Sequence, residues 1–205
     1  VANLGIFSSG PGQSHTFSVF VGPISKDLDL SSTSIASAYG LATLIAAFLL
    51  PYMGRLLDKY GARKTLIIVT ILLGISCVFF GAASNFLMLT VGFGFLRFFG
   101  QGSLMLGCAN LVSQWFDKKR GFAMSLMALG FGISMAIHPP LSQFLIDHYG
   151  WKFAWVFLGV STWIIMVPAL YLLAWNTPES VGLSSDGKIK VKSIDNKKEI
   201  IEGLD

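Results

Sequence analysis

Charged residues are scarce in this sequence. They make up 13% of its 205 residues, against 53% for hydrophobic residues, and globular domains usually carry about twice that charged fraction. Charge is absent from six stretches, at residues 1–25, 30–54, 65–96, 98–116, 121–146 and 153–178. Each stretch can cross a hydrocarbon core of about 30 Å, which takes roughly 20 residues of helix. The pattern excludes a soluble enzyme, a disordered chain and a secreted disulfide scaffold, and it predicts a helical membrane protein.

Cysteine is rare, and acidic residues are missing from the apolar stretches. Cys77 and Cys108 lie inside apolar runs without CxxC or histidine-rich spacing, so neither a disulfide nor a metal site is predicted. All 11 acidic residues fall in predicted loops, at helix ends or in the tail. The spans also lack a Ser/His, paired-Asp or metal constellation. An intramembrane enzyme is therefore the least favoured class, and no cofactor is expected.

The basic residues predict the orientation of the chain. We place six transmembrane helices at about 1–24, 33–53, 65–83, 87–115, 121–146 and 153–175. Only Lys26 and Lys152 stand on one side of these helices, which predicts that both termini are cytoplasmic. The twelve basic residues on the other side are Arg55, Lys59, Arg63, Lys64, Lys118, Lys119, Arg120, Lys188, Lys190, Lys192, Lys197 and Lys198. They occupy short connections rather than one solvated face with aromatics, so the net charge of +4 does not indicate nucleic-acid binding.

Composition changes after residue 178. Residues 1–178 are predicted to form an N-terminal six-helix transmembrane bundle in the lipid bilayer of the plasma (cell inner) membrane. Residues 179–205 are polar and lysine-rich, and we expect them to form a cytoplasmic linker.

An internal repeat recurs with an offset of 89 residues. Pro51, Asp58, Tyr60 and Gly61 correspond in register to Pro140, Asp147, Tyr149 and Gly150. The two copies end predicted helices two and five on opposite sides, because three helices per copy reverse the orientation. We therefore predict an all-α polytopic fold of six helices arranged as a 3+3 inverted repeat, as in many transporters, with the substrate site between repeats. A chance match of common helix-end residues is the alternative.

The loop between predicted helices two and three carries a spaced motif. It reads Gly54-Arg-Leu-Leu-Asp-Lys-Tyr-Gly-Ala-Arg-Lys64 and resembles the loop 2–3 motif of the major facilitator superfamily, with a departure at Ala62. The resemblance implies a conformational latch in which Asp58 pairs with loop arginines in the outward-facing state and releases them during transport. The latch residues are Gly54, Asp58, Gly61 and Arg63. An ordinary basic loop with a helix-capping aspartate is the alternative.

Three further stretches resemble the monocarboxylate-transporter-like branch of that family and its oxalate–formate antiporters. They are Gly10–Phe20, Gln114–Ala123, and Pro139-Pro140 followed by Gly150–Ala154. The resemblance covers residues 1–178, the N-terminal half of a family usually built from twelve helices. It implies a partner bundle, either a C-terminal six-helix half absent from this chain or a second copy.

Polar residues inside the predicted spans are the candidate substrate-binding residues, because uncompensated polarity in a bilayer is costly. Arg97 lies about 15 Å into helix four at 1.5 Å per residue, and Gln101, Leu104 and Cys108 share its helical face. A guanidinium there can hold a substrate carboxylate through two hydrogen bonds. The alternative is a structural arginine bonded to carbonyls of helix one.

Two histidines complete the candidate substrate site. His15 lies mid-membrane beside Gly10, Pro11 and Gly12, and it can take either a proton or an anion near physiological pH. A neutral packing histidine is the alternative. His138 precedes two prolines, so it either faces the cavity or caps carbonyls that the prolines leave free.

The predicted function is secondary active transport of a small organic anion, a monocarboxylate above all, by alternating access. Proton symport and anion exchange both remain open. A drug or sugar porter is the alternative within transporters, and a non-transporting membrane sensor or scaffold is the alternative from another class.

Overall fold

The computed structural model describes residues 1–187, and in that range the chain is built from helices. The predicted linker 179–205 lies outside the described residues from residue 188 onward, and so do the five tail lysines. We number the α-helices in chain order as α1 Ala2–Ser8, α2 Ser14–Phe17, α3 Val21–Leu28, α4 Ser32–Tyr60, α5 Ala62–Gly81, α6 Phe86–Leu96, α7 Met105–Trp115 and α8 Arg120–Leu173.

The first predicted span is interrupted, which corrects the prediction of one helix over 1–24. A 3-10 turn at Gly10–Gly12 follows α1, and Gln13 is extended (φ −93°, ψ 149°) before α2 begins. The helical ladder stops because Pro11 has no backbone N–H to donate. Buried side chains supply hydrogen bonds at the break: Gln13 donates to the Ser9 hydroxyl at 3.0 Å, which donates to the Ile6 carbonyl at 2.7 Å.

Capping side chains set the starts of two later helices. The Ser31 hydroxyl accepts the amide of Ser34 at 3.0 Å before α4, and the Asn85 side chain accepts the amide of Met88 at 2.9 Å before α6. Only Gly61 separates α4 from α5, with φ 81°, a conformation that favours glycine. The motif 54–64, predicted as a loop, is therefore largely helical.

A π-helical segment joins α6 to α7. It covers Arg97–Leu104, so residues 86–115 form one nearly continuous rod that matches the predicted helix 87–115. Single-turn π segments are frequent at functional sites. Here the Ser103 hydroxyl donates to the carbonyl of Phe98, five residues earlier, at 2.7 Å.

Helix α8 is broken at Gly150 (φ 81°, ψ 162°). Its 54 residues would extend about 80 Å without a break, more than twice a hydrocarbon core. The part before the break packs on α1, where the Asn3 amide donates to the Leu126 carbonyl at 2.9 Å. The part after it packs on α5, where the Trp163 indole donates to the Ile71 carbonyl at 3.1 Å. The break falls within the predicted connection 147–152.

Aromatic rings fill the core near the Gly150 end. The Trp155 ring packs on Phe20 and Phe80 with centroids 4.6 Å apart, and Phe80 lies 4.8 Å from Phe93. At the rim of that end, Lys152 and Asp27 form an ion pair at 2.9 Å.

The opposite end carries the basic connections. There the Asp186 carboxylate accepts the amides of Asp117, Lys118 and Lys119 at 3.0–3.2 Å. Desolvation raises the pKa of Asp186, but the hydrogen bonds from these amides and the charge of Lys119 together lower it below its usual range.

Large apolar side chains cover the outside of the bundle. Phe48, Phe122 and Leu87 are among those exposed by more than 70%, which a water-soluble monomer does not tolerate over a contiguous surface. Three described helices are long and apolar enough to cross a membrane, namely α4, α5 and α8. Length alone does not identify the other predicted spans, because the interrupted first segment and the π segment divide them into shorter helices.

Candidate functional site

Arg97 is buried and held by three groups from two other segments. Its Nη1 donates to the Gly12 carbonyl at 3.1 Å, and its Nε donates to the Thr43 hydroxyl at 3.1 Å. The guanidinium carbon lies 4.8 Å from the centroid of the Tyr39 ring, a distance at which the ring face attracts a cation. The bond to Gly12 is the one that the structural alternative for Arg97 predicts.

Arg97 also borders a cavity of about 510 Å³. Gln101 lines the same cavity, and the remaining walls are almost entirely apolar, from residues such as Ala46, Leu50, Met105 and Met127. The Gln101 Oε1 atom is buried and has no hydrogen-bond partner among the described residues. Arg97 and Gln101 therefore place two polar side chains at an otherwise apolar wall, which is typical of small-molecule sites.

The π segment changes which residues share the face of Arg97. Gln101 and Met105 line the cavity, whereas Leu104 and Cys108, both expected on that face, are fully buried elsewhere. Cys108 lies against Gly5 of α1. The structure thus brings Arg97 and Gln101 to one cavity, and the wider π turn directs Leu104 and Cys108 away from it.

Glycine allows the interrupted first segment to touch the π segment. A Cβ on Gly12 would lie 2.5 Å from the Leu96 carbonyl oxygen and 2.7 Å from the Gly100 Cα. These are backbone atoms that cannot move aside, so only glycine fits. This close approach brings the Gly12 carbonyl within reach of Arg97.

His15 and His138 lie on either side of Ser134. The Ser134 hydroxyl is 3.0 Å from His15 Nε2 and 3.0 Å from His138 Nδ1. His138 Nδ1 is also 3.2 Å from the Ser134 carbonyl oxygen. Pro139 and Pro140 would free the carbonyls of residues 135 and 136, so capping of those carbonyls is not the role seen for His138.

The two rings sit in different surroundings. His138 is 5% exposed and tilts against Phe7 with centroids 4.8 Å apart, and a Cβ on Gly10 would collide with its ring at 2.5–2.6 Å. His15 is partly exposed and meets the edge of Phe131 at 5.3 Å. The ring centroids of the two histidines are 6.5 Å apart. His15 is therefore the histidine that solvent can reach.

The four latch residues do not form one cluster. Asp58 is exposed and makes no ion pair with any described residue. Arg63 instead binds the last turn of α8 and the segment that follows it. Its guanidinium donates to the Tyr171 carbonyl, and its amide donates to Asn176 Oδ1 at 2.9 Å. Asn176 also packs against Gly61, where a Cβ would lie 2.8 Å from its side chain, whereas Gly54 has open space around it.

Sequence reasoning missed several residues that organise these sites. Tyr39 and Thr43 are one turn apart on α4 and face Arg97, and Ser134 is one turn before His138 on α8. The i, i+4 spacing of polar residues inside apolar spans is a signal that points to them. Asn176 gave no such signal, because its contact with Arg63 spans 113 residues.

Comparisons with known proteins agree with this architecture. The sequence profile of the Major Facilitator Superfamily matches residues 2–201. Monocarboxylate transporter 11 of Homo sapiens is 32% identical over 136 residues, which cover 66% of this chain and 28% of that protein. A probable hexose phosphate transport protein of Chlamydia trachomatis is 29% identical over 164 residues, which cover 80% of this chain and 34% of that protein.

The profile match and the apolar helices define an integral membrane protein of the transporter class. The chain belongs to the Major Facilitator Superfamily. It spans 28–44% of the length of these curated relatives. The upper value is for an uncharacterized MFS-type transporter, YhjX of Escherichia coli, which is 23% identical.

Proposed function

We propose that this chain forms the N-terminal half of a transporter that moves a small organic anion, a monocarboxylate above all, by alternating access. The observation that carries the proposal is Arg97, a buried cation on the wall of an apolar cavity. No described acidic side chain pairs with it, so the charge is left for a ligand to neutralise.

The number of hydrogen-bond donors on Arg97 supports an anionic substrate. A guanidinium has five N–H donors, and the bonds to Gly12 and Thr43 use two of them. A carboxylate that enters the cavity loses hydration, and charge-assisted hydrogen bonds from this fork replace it. Arg97 therefore serves both roles considered for it, as a tie to the first segment and as an anion ligand.

A second candidate substrate class is an organic phosphate. The Chlamydia relatives are named as probable hexose phosphate transport proteins, and a guanidinium binds phosphate as well as carboxylate. Gln101 lines the same cavity, and a side-chain amide can bind a substrate hydroxyl. A hydroxylated anion satisfies both groups, whether it carries a carboxylate or a phosphate.

The backbone supports the proposed six spans in a 3+3 inverted repeat. Gly61 and Gly150, the aligned ends of the two copies, have nearly the same conformation, φ 81° and ψ 157° against φ 81° and ψ 162°. Helix α5 also runs antiparallel to α8 beyond Gly150. Arg63 binds Tyr171 near one end of this pair, and Gly81 meets the Lys152 carbonyl at the other. Two segments related by an inverted repeat pack in this way.

Orientation and partner follow as parts of the same proposal. The basic connections 59–64 and 117–120 lie at one end of the bundle, the end where α8 finishes, and we assign it to the cytoplasm of the plasma membrane. A second six-helix bundle closes the cavity, either a C-terminal half or a second copy. Asp58, unpaired among the described residues, is then free to act on that second bundle as the latch, with Gly54, Gly61 and Arg63 shaping the turn.

Reconstituted uptake of the transport-competent protein, meaning this chain with its second bundle, tests the proposal. Lactate, pyruvate, formate, oxalate and a hexose phosphate are compared across pH 5.5–8. Arg97→Gln should weaken anion transport at every pH by roughly 10–100-fold, since a hydrogen bond to a charged group contributes about 1.5–3 kcal/mol. Arg120→Gln, an exposed arginine at the start of α8, is the matched control.

The alternatives give different outcomes. Transport of a neutral sugar or drug that Arg97→Gln leaves unchanged would identify the other kind of porter. Saturable anion binding without any flux would identify a sensor or scaffold. Either result would refute the proposal.

A further inference from the structure

We propose that His15, Ser134 and His138 together bind one proton that is transported with the anion. This inference rests on the proposed function and names the coupling ion. It starts from the pair of 3.0 Å contacts that link the two imidazole rings through one hydroxyl.

The hydrogen atoms in the hydrogen bonds between His15, Ser134 and His138 can be assigned from the acceptors. The Ser134 carbonyl oxygen can only accept, and it lies 3.2 Å from His138 Nδ1, so Nδ1 of His138 carries a hydrogen. That N–H also points to the Ser134 hydroxyl oxygen, which is then free to donate its own hydrogen to Nε2 of His15. In the neutral state both histidines are therefore hydrogen-bonded, and each ring keeps one basic nitrogen, its Nε2.

Adding one proton changes these hydrogen bonds in a defined way. A hydronium ion protonates Nε2 of His15, which belongs to the more exposed of the two rings, and leaves water behind. Nε2–H then donates to the Ser134 oxygen, and the serine hydrogen rotates away without breaking its O–H bond. A second proton would place two cations with centroids 6.5 Å apart in an apolar interior, which their repulsion opposes. The site therefore binds one proton.

Few other charges act on this site. Between Arg120 and Asp147, α8 carries no charged or titratable side chain besides His138. Residues 2–17 carry none besides His15, and α7 brings Cys108, which packs against Gly5. The π segment brings Arg97, which binds the Gly12 carbonyl. No described carboxylate faces the histidines, so an anionic substrate can neutralise the added charge.

The interrupted first segment links the proton site to Arg97. Its turn is wedged between the His138 ring, which fills the space beside Gly10, and the backbone of Leu96 and Gly100, which fills the space beside Gly12. The turn that carries the Gly12 carbonyl bound by Arg97 is therefore in contact with the ring of the proton site. The turn at Gly10–Gly12 is thus the structural element that the proton site and the anion site share.

Two variants of α8 test the proposal. Ser134→Ala removes the bridging hydroxyl, and Ser142→Ala removes an equally buried hydroxyl two turns further on that has no partner among the described residues. The transport-competent protein is labelled with ¹⁵N-histidine, and the imidazole signals are followed through a pH titration. His15→Gln and His138→Gln assign the signals, and the exposed His148 serves as the internal reference.

The expected result is that His15 and His138 change together with the uptake of one proton, and that Ser134→Ala separates their midpoints while Ser142→Ala does not. In liposomes, Ser134→Ala should reduce anion accumulation driven by a pH gradient about tenfold, in the range of typical coupling between sites, and should reduce anion exchange less than accumulation.

Three outcomes would overturn the inference: independent titration of the two rings, equal effects of the two serine variants, or equal loss of accumulation and exchange in Ser134→Ala. A wild-type protein that exchanges anions but ignores a pH gradient would also overturn it. Failure of all anion transport would instead refute the proposed function, and the titration would still decide whether the histidines share a proton.

Discussion

Replacing Gly12 by alanine should separate the first segment from the π segment. The new Cβ would lie 2.5 Å from the Leu96 carbonyl oxygen, so the turn has to move by about 0.9 Å to reach an ordinary contact of 3.4 Å. A shift of that size takes the Gly12 carbonyl out of hydrogen-bond range of Arg97, which now lies at 3.1 Å. Overpacking costs about 1–3 kcal/mol, and the lost bond to a charged group about 1.5–3 kcal/mol. Together these give an expected loss of about 2.5–6 kcal/mol in unfolding free energy.

The measurement is unfolding of the purified protein in mixed detergent micelles, with Gly40→Ala as the matched control. A Cβ on Gly40 meets nothing within 4 Å, and alanine is favoured over glycine in a helix by up to about 1 kcal/mol, so that variant should be neutral or slightly stabilised. Gly100→Ala attacks the same contact from the other side, since its Cβ would lie 2.8 Å from the Gly12 Cα.

The double variant of Gly12 and Gly100 gives a stricter test. Once one alanine has separated the two segments, the second alanine no longer clashes. The two losses in unfolding free energy should therefore be far from additive. Two results would refute the close approach as the reason for glycine. One is an unfolding free energy of Gly12→Ala that equals that of Gly40→Ala, and the other is a strictly additive loss in the double variant.

Three further predictions concern other contacts. Gln101→Glu places a fixed carboxylate in the cavity of Arg97 and should weaken anion binding by roughly 10–100-fold, measured by equilibrium binding, with Gln114→Glu outside the cavity as control. Asn176→Ala should lower the unfolding free energy by about 1 kcal/mol, because the Arg63 amide loses its cap; an unchanged value in micelle unfolding would contradict this. Asp186 has a lowered pKa, so its hydrogen bonds to the amides of residues 117–119 are complete above the ordinary value of 3.8 and are lost as the pH falls through the lower folded value. Amide-exchange protection there should therefore stay constant from pH 5.5 to 8 and fall in Asp186→Asn.

The distribution of charge was enough to predict most of the helical segments. The stretch 87–115 and the break near Gly150 were placed within a few residues, because charged and turn-forming residues mark their ends. The interruption of the first segment was missed although Gly10, Pro11 and Gly12 were visible. An apolar run alone predicts a continuous helix, whereas buried bonds from Gln13 and Ser9 stabilise the break.

The candidate site was predictable in its members and not in its connections. Arg97 and Gln101 could be paired from spacing on one helix. The π segment, the hydroxyl between His15 and His138, and the tie from Arg97 to Gly12 all depend on how distant segments approach each other. A single sequence carries no direct record of such approaches, since each depends on packing across several helices.

The contact of Asn176 with the first turn of α5 has a consequence for biosynthesis. The Arg63 amide receives its cap from a residue that leaves the ribosome 113 residues later, a delay of roughly 6–23 s at ordinary rates of translation. Water must hydrate that amide in the meantime, and likewise the amides that await Asp186. The early connections of the nascent chain are thus finished by its late residues, and the basic end of the bundle is the last part to mature.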